Sequence, residues 1–142
     1  MKIRDVMTDR VVCIRPEESA EVAARTLSRH NIGALPVCGK DGRLCGILTD
    51  RDLVTRCVAG GKPAAKTSVR EVMTATVTTA QPDMEVSAAA HLMGRLQVRR
   101  LPVVEDGKLL GMVSLGDLAV REESCYDAAD ALGNICENIS LR

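Results

Sequence analysis

The sequence predicts an α/β chain made of two pseudo-symmetric βαββα repeats, each a three-stranded sheet packed on two helices. Three observations predict it. The chain matches itself at a nearly constant offset across a whole half. Short β-prone runs and amphipathic helical stripes follow one another in the same order twice. Each half also carries an Asp-Gly pair between two apolar runs, a strong hairpin signal.

The repeat can be read residue by residue. Ile3-Arg4-Asp5-Val6-Met7-Thr8 recurs as Val69-Arg70-Glu71-Val72-Met73-Thr74, an offset of 69 − 3 = 66. The same offset pairs Pro16 with Pro82, Ala23-Ala24 with Ala89-Ala90, and Leu35-Pro36-Val37 with Leu101-Pro102-Val103. One residue is then lost in a turn. Asp41-Gly42 now matches Asp106-Gly107, Gly46 matches Gly111, and Asp52-Leu53 matches Asp117-Leu118.

Each element follows from its residues. Val11-Val12-Cys13-Ile14 and Val77-Thr78-Thr79 are β-prone runs closed by Pro16 and Pro82. Ala20, Ala23, Ala24 and Leu27 then fall at helical spacing, as do Val86, Ala89, Ala90 and Met93. Glu17, Glu18, Asp83 and Glu85 stand near the starts of these helices, where the dipole favours negative charge. Leu35–Cys38 and Leu44–Leu48 flank the first Asp-Gly, and Leu101–Val104 and Leu109–Val113 flank the second. A second helix follows in each half, over about 50–58 and about 115–121. Gly60-Gly61-Lys62-Pro63 ends the first half. These signals divide the chain into repeat 1 (1–62), repeat 2 (63–121) and a helical tail (122–142). In the tail, Ala128, Leu132, Ile135 and Ile139 form a stripe weakened by Gly133. It reads as a packing helix or as a lid carrying Tyr126.

Composition limits the function. The chain has 142 residues, so each half is marginal alone and the two are expected to share one core. Tyr126 is the sole aromatic residue, so that core is aliphatic. Nineteen basic residues balance nineteen acidic ones, which gives nucleic-acid binding no electrostatic support. No apolar run reaches membrane-spanning length, and the opening residues do not form a secretory signal. The expected location is cytoplasmic. The six cysteines include no CxxC pair, and with only His30 and His91 beside them no metal site is expected. They read mostly as small buried hydrophobes. Neither histidine occupies equivalent positions in both halves, and no nucleophile–base constellation recurs, so the protein is not expected to be an enzyme.

Together the xRDVMT and xREVMT openings, the Ile-Gly-Ala-Leu-Pro-Val and Val-Arg-Arg-Leu-Pro-Val strands, and two Gly-h-h-[Thr/Ser]-x-x-Asp signatures (h, apolar) resemble the tandem cystathionine-β-synthase-type (CBS) domain pair, or Bateman module. "HNIGALPVCG" and "GILTDRDLV" are similar to small stand-alone bacterial pairs of the hypoxic-response-protein type. The resemblance implies a non-catalytic regulatory module and a homodimer joined through helical faces. It also implies an adenosine-containing ligand in the cleft between repeats. AMP, ADP and ATP rank ahead of S-adenosylmethionine and NAD, and no cofactor is required. The regulated protein would be a separate molecule.

The family's matching positions assign phosphate and ribose contacts to Thr49, Asp52, Ser114 and Asp117. A helix start suits a phosphate, and an Asp one turn in can accept bonds from ribose hydroxyls. The same Thr/Ser-x-x-Asp spacing is also a capping box that needs no ligand. Arg51, Arg99 and Arg100 are candidate phosphate ligands whose repeat equivalents are Gly116, Gly33 and Ala34, so the two sites are expected to differ. Ile32 and Val98, with Ile47 or Met112, are candidate walls for adenine. In such a fold the strands ending at Cys13 and Cys38 are neighbours, within disulfide range. The pair reads either as two reduced thiols or as the disulfide of an alternative function: a ligand-free, redox-responsive or protein-interaction scaffold.

Overall fold

The computed structural model describes residues 1–121 and 124–140, the last three as backbone alone. Its first helix, α1 (Ala20–His30), starts at Ser19, whose Oγ accepts from the Val22 N–H at 3.1 Å. It stops at Asn31 in the left-handed region, φ 52°. Strands β1 (Ala34–Cys38) and β2 (Leu44–Thr49) then pair antiparallel, with Leu35 opposite Leu48 and Val37 opposite Gly46. Helix α2 (Asp50–Asp52) runs without a break into a π-helical turn, Leu53–Val58. A 3-10 turn at Ala64–Lys66 leads to the short α3 (Val69–Val72).

The second half repeats this order: α4 (Val86–Leu96), the hairpin β3 (Arg100–Glu105) and β4 (Lys108–Ser114), and α5 (Leu115–Ala119). Asp106 and Gly107 both have positive φ, 53° and 81°, as a two-residue hairpin turn demands. In the first hairpin Gly42 is the turn residue with positive φ. The one-residue gap in the sequence repeat falls here, between a longer loop and a tight turn. The tail forms α6 (Cys125–Ser140).

The first strand of each repeat is shorter than its β-prone run predicts. Ile14 bridges Val37 and Ala80 bridges Val103, each by a single parallel rung. The Ile14 N–H donates to Pro36 O at 3.0 Å, and Ile14 O accepts from the Cys38 N–H at 2.9 Å. A preceding rung would need an N–H from Pro36, and a following one an N–H from Pro16. Neither proline has one. Pro102 and Pro82 impose the same limit around Ala80. Each regular sheet therefore has two strands, with the third segment attached at one residue.

The chain divides into two compact units that interleave along the sequence. The N-hairpin unit is Val11–Val77 with Gly107–Leu109. The C-hairpin unit is Met1–Arg10, Thr78–Asp106 and Leu110–Arg142. The expected single core is two clusters. The first gathers Ala20, Ala23, Leu27, Leu35, Val37 and Leu48 with Val69 and Val72 of α3. The second gathers Val86, Ala89, Ala90, Met93, Leu101 and Val113 with Ile3 and Val6 of the N-terminal segment. Each hairpin thus packs against the opening motif of the other repeat. Backbone bonds fix both in matching fashion. Ile3 N–H donates to Met84 O at 2.9 Å and Arg4 N–H to Pro82 O at 3.0 Å; Val69 N–H donates to Glu18 O at 2.7 Å and Arg70 N–H to Pro16 O at 3.0 Å.

Helix α6 packs on α4 and α5 through Ala128, Ala131 and Ile135. Gly94 allows the close crossing, since a Cβ there would sit 3.0 Å from Ala131 Cα. This cover explains an inequality in the alanine stripes: Ala90 is buried, whereas Ala24 is exposed. Leu132 is exposed, off the face the tail stripe predicted, and the Ile139 side chain lies outside the described residues. Tyr126, the residue of the lid reading, is 83% exposed. Among the described residues no helix is long and apolar enough to cross a membrane.

Candidate functional site

Both signature segments run from a strand into a helix start, and both close the same reciprocal cap. Thr49 Oγ1 accepts from the Asp52 N–H at 3.0 Å, and Asp52 Oδ2 accepts from the Thr49 N–H at 3.0 Å. Ser114 Oγ accepts from the Asp117 N–H at 3.1 Å, and Asp117 Oδ2 accepts from the Ser114 N–H at 2.8 Å. The capping role expected of these residues is therefore filled. Each Asp keeps its second oxygen for other partners.

The glycine of each signature has a packing reason. A Cβ at Gly46 would stand 2.6 Å from Thr74 O, and one at Gly111 would press on Thr8 O. These close approaches are backbone bridges. Ile47 and Thr74 exchange two N–H···O bonds at 2.9 Å; Thr8 and Met112 exchange two at 2.8 and 2.9 Å. The repeated Met-Thr pair thus edges the hairpin beside each cap. The Met7 and Met73 sulfurs lie against the same glycines.

The predicted site residues fall into two groups, one in each unit. In the N-hairpin unit Ile32 and Gly33 lead to the start of α2, where Gly33 O accepts from the Asp50 N–H at 2.9 Å. Thr49 and Asp52 stand at that start, and Arg51 is exposed beside them. In the C-hairpin unit Val98 and Arg99 lead to the start of α5, where Arg99 O accepts from the Leu115 N–H at 2.7 Å. Ser114 and Asp117 stand there. Ile32 and Val98 are half-buried against their own cores. Arg99 and Arg100 are exposed, and among the described residues neither pairs with Glu105 or Asp106.

Beyond the shared cap the groups diverge. Asp52 is 8% exposed. Thr74 Oγ1 lies 3.5 Å from both of its carboxylate oxygens, and Arg56 Nε lies 3.9 Å from Oδ1. Arg56 is itself held by a bond to Met73 O at 2.8 Å. Asp117 is half-buried, and among the described residues its carboxylate bonds to Ser114 alone. The entry residues differ as well. Asp50 holds its carboxylate beside Gly33, within 3.4 Å of where a Cβ would be. Its equivalent is the buried, uncharged Leu115. A second carboxylate at a helix start repels an anion, and the α5 entry lacks one.

Thr8, Thr74, Asp50 and Arg56 were not singled out from sequence. The Met-Thr repeat was visible only as part of an opening motif, and the Asp52–Arg56 spacing of four residues was the one signal for that ion pair.

Of the six cysteines, Cys38 and Cys57 are buried, Cys45 and Cys125 are half-buried, and Cys13 and Cys136 are exposed, so the buried reading holds for fewer than expected. Cys13 and Cys38 are free thiols, and the Cys13 Sγ donates to Val11 O at 3.6 Å. The mutual influence of the two thiols lowers the Cys13 thiol to about 7 and pushes Cys38 up. Among the described residues, no group of three or more His, Cys, Asp or Glu side chains could hold a metal ion.

Comparison with known proteins agrees with this architecture. The CBS domain model matches residues 3–59 and 69–123. The CBS domain-containing protein YhcV of Bacillus subtilis is 41% identical over 133 residues, 94% of each chain. Hypoxic response protein 1 of Mycobacterium tuberculosis is 35% identical over 82% of this chain and 81% of its own. A crystal structure of Hypoxic Response Protein I, with two coordinated zinc ions, matches at TM-score 0.77 and 34% identity, over 84% of this chain and 97% of that one. The CBS domain pair of protein MJ0100, crystallised with 5′-methylthioadenosine and S-adenosyl-L-methionine, matches at TM-score 0.74 and 29% identity, over 84% and 93%. With two capped signatures on two hairpins and both repeats matched, the chain belongs to the CBS-domain family as a tandem pair.

Proposed function

We propose that this CBS pair is a non-catalytic regulatory module that binds an adenosine-containing ligand, with the entry to α5 as its principal site. The observation that carries this reading is the open carboxylate of Asp117. One oxygen closes the cap, and the other is free to accept from ribose hydroxyls. Arg99 and Arg100 supply exposed guanidinium groups for phosphate, and the Ser114 hydroxyl can donate one bond. Val98 and Met112, both half-buried, are the apolar walls for adenine. The related pair with 5′-methylthioadenosine and S-adenosyl-L-methionine supports the ligand class. AMP, ADP and ATP remain the first choice because the arginines suit a phosphate.

Thr49, Asp52, Arg51 and Ile32 form the secondary site. Binding shifts the module toward the state that holds ligand more tightly, and so alters its affinity for a separate regulated protein. The module works as a homodimer in the cytoplasm. Val54 and Val58, 60% and 73% exposed and four residues apart, support dimerisation through helical faces. A second reading, a redox-responsive or protein-interaction scaffold, draws on the lowered Cys13 thiol and its exposure.

Titration calorimetry with AMP, ADP, ATP, S-adenosylmethionine and NAD tests the first reading. Asp117→Asn keeps a cap acceptor but loses the charge. It is expected to weaken the tightest ligand at least about tenfold, and Asp52→Asn no more than about threefold. Absence of heat with all five at millimolar concentration, or the reverse order of the two variants, overturns it.

A further inference from the structure

We propose that the outer face of α6 is a self-association surface that pairs antiparallel with α6 of a second copy. The inference is independent of the ligand site. It is also independent of the Val54–Val58 face, which belongs to the N-hairpin unit. Where both faces are used, dimers joined at one assemble further through the other.

Three features of α6 are unexplained by packing within one chain. Tyr126, the sole aromatic residue, is 83% exposed. Gly133 stands in the middle of a 16-residue helix, where it lowers helix stability relative to alanine. A Cβ there would meet nothing within 4 Å, so no contact in the chain requires glycine. Cys136 is exposed. With the exposed Ala129 these residues make one stripe, and positions 126, 129, 133 and 136 follow the alternating three-and-four spacing of a coiled-coil seam. The stripe lies nearly opposite Ala128, Ala131 and Ile135, which bury α6 against α4 and α5. Leu132, 42% exposed, borders it on one side, and the exposed Asp130 on the other.

The order of the stripe identifies the occupant, because it is its own reverse. Tyr126 and Cys136 each stand five residues from Ala131, and Ala129 and Gly133 each stand two. A two-fold axis at that midpoint sets Tyr126 against Cys136 of the partner subunit, and Ala129 against the partner subunit's Gly133. The small central pairs let the backbones approach closely. The Tyr126 ring then closes each end over a polarisable sulfur, a favourable contact. Leu132 meets its own copy on one flank. A parallel pairing would instead stack tyrosine on tyrosine and set glycine against glycine with nothing between. An unrelated helix has no reason to match an order that reads alike both ways.

Area and charge set the strength. Each tyrosine offers about 200 Å², and with Leu132, Cys136 and the small residues the pair buries roughly 1,000 Å² in all, the low end for a specific interface. The charged residues of α6 among those described, Asp127, Asp130 and Glu137, are all acidic, and Asp130 faces its own copy on the second flank. Association is therefore weak and strengthens as salt screens this repulsion.

Sedimentation equilibrium of the full, reduced chain from micromolar to millimolar concentration should show an association step that tightens several-fold between about 0.05 M and about 0.5 M salt. Gly133→Gln places a good helix former in open space, so its thermal midpoint should not fall below the parent's, while the step weakens at least about tenfold. Val54→Asp should leave the step intact. In Tyr126→Cys, a glutathione redox buffer traps the contact, and the covalent trap collects even a weakened pair. Non-reduced peptide mapping should find the introduced thiol linked to Cys136. The two positions stand about 15 Å apart along one helix, so that link joins two copies. Equal association of the parent and Gly133→Gln overturns the proposal. So does loss of the step in Val54→Asp, or an introduced thiol that links to its own copy instead of to Cys136.

Discussion

The entries to α2 and α5 share one frame and differ in what surrounds it. Each has a reciprocal hydroxyl–carboxylate cap, a glycine under a threonine carbonyl, and a carbonyl immediately before the hairpin that receives the helix's first N–H. At α2 the remaining carboxylate oxygen faces Thr74 and Arg56, and a second acid, Asp50, stands at the helix start. At α5 those positions leave Asp117 open beside Leu115, with two exposed arginines leading in. The repeated residues therefore build the frame, and the unrepeated ones set the charge around it.

The sharpest test of a common frame is its glycine. Gly46→Ala and Gly111→Ala each drive a Cβ into a backbone carbonyl, which has no rotamer by which to yield. Each is expected to cost about 3 kcal/mol of unfolding free energy, read by urea denaturation. Equal losses support equal frames. A loss below about 1 kcal/mol at either position would mean that its bridge to Thr74 or Thr8 is not a structural constraint.

Next in size is the contrast between the two carboxylates. Asp117→Ala removes one cap and should cost about 1 kcal/mol. Asp52→Ala removes an equivalent cap together with the Thr74 and Arg56 contacts, at a more buried position. It should cost about 2 kcal/mol, with little of the excess from Arg56, whose side chain is half-exposed. The order should reverse in binding, where Asp117 matters more. Matching orders in stability and binding would dissolve the distinction between a structural and a ligand-binding aspartate.

A smaller effect comes from the arginines. Arg99→Ala together with Arg100→Ala should weaken AMP several-fold while leaving adenosine nearly unchanged, because exposed guanidinium groups contribute modestly and only to the phosphate. Loss of both ligands alike would place these side chains elsewhere than at the phosphate.

Much of this comparison was legible before the fold was known. The two Thr/Ser-x-x-Asp caps, the hairpins and the amphipathic helices all depend on residues close in sequence, where spacing carries the signal. The asymmetry of Arg51, Arg99 and Arg100 was legible too, as departures from the repeat. The interleaving of units was not, because nothing in Ile3–Thr8 says which hairpin it will pack against. Its partners Met84 and Pro82 are about eighty residues away. Nor was the single-rung third strand, although its cause lay in plain view. Pro16 and Pro36 each lack a donor, but the loss of a rung shows only when Ile14 is known to pair with Val37. The burial of Ala90 and exposure of Ala24 likewise needed α6, which has no counterpart in the first repeat.

The smallest expected effect separates the two opening motifs by how each is secured. Glu85 is lowered from its usual carboxylate range, first by the Lys2 hydrogen bond and then by the N-terminal ammonium. Glu71 is lowered first by the Ser68 backbone N–H and then by the Ser68 hydroxyl. A carboxylate with a depressed folded pKa contributes stability that is present above its unfolded value, about 4.3, and is lost as pH falls through the folded value. Both motifs should therefore loosen on acidification below about pH 4, seen as a falling unfolding midpoint. Salt should tell them apart. The Glu85 contribution comes from charges on exposed side chains and should fade at about 1 M salt, where screening acts within about 3 Å. The Glu71 contribution is a short-range bond to a neutral N–H and should persist. Glu85→Gln should then flatten the acid dependence at low salt only, and Glu71→Gln at both. The same salt response in both variants would show that the N-terminal segment is held by its backbone bonds and Ile3 rather than by its ion pairs.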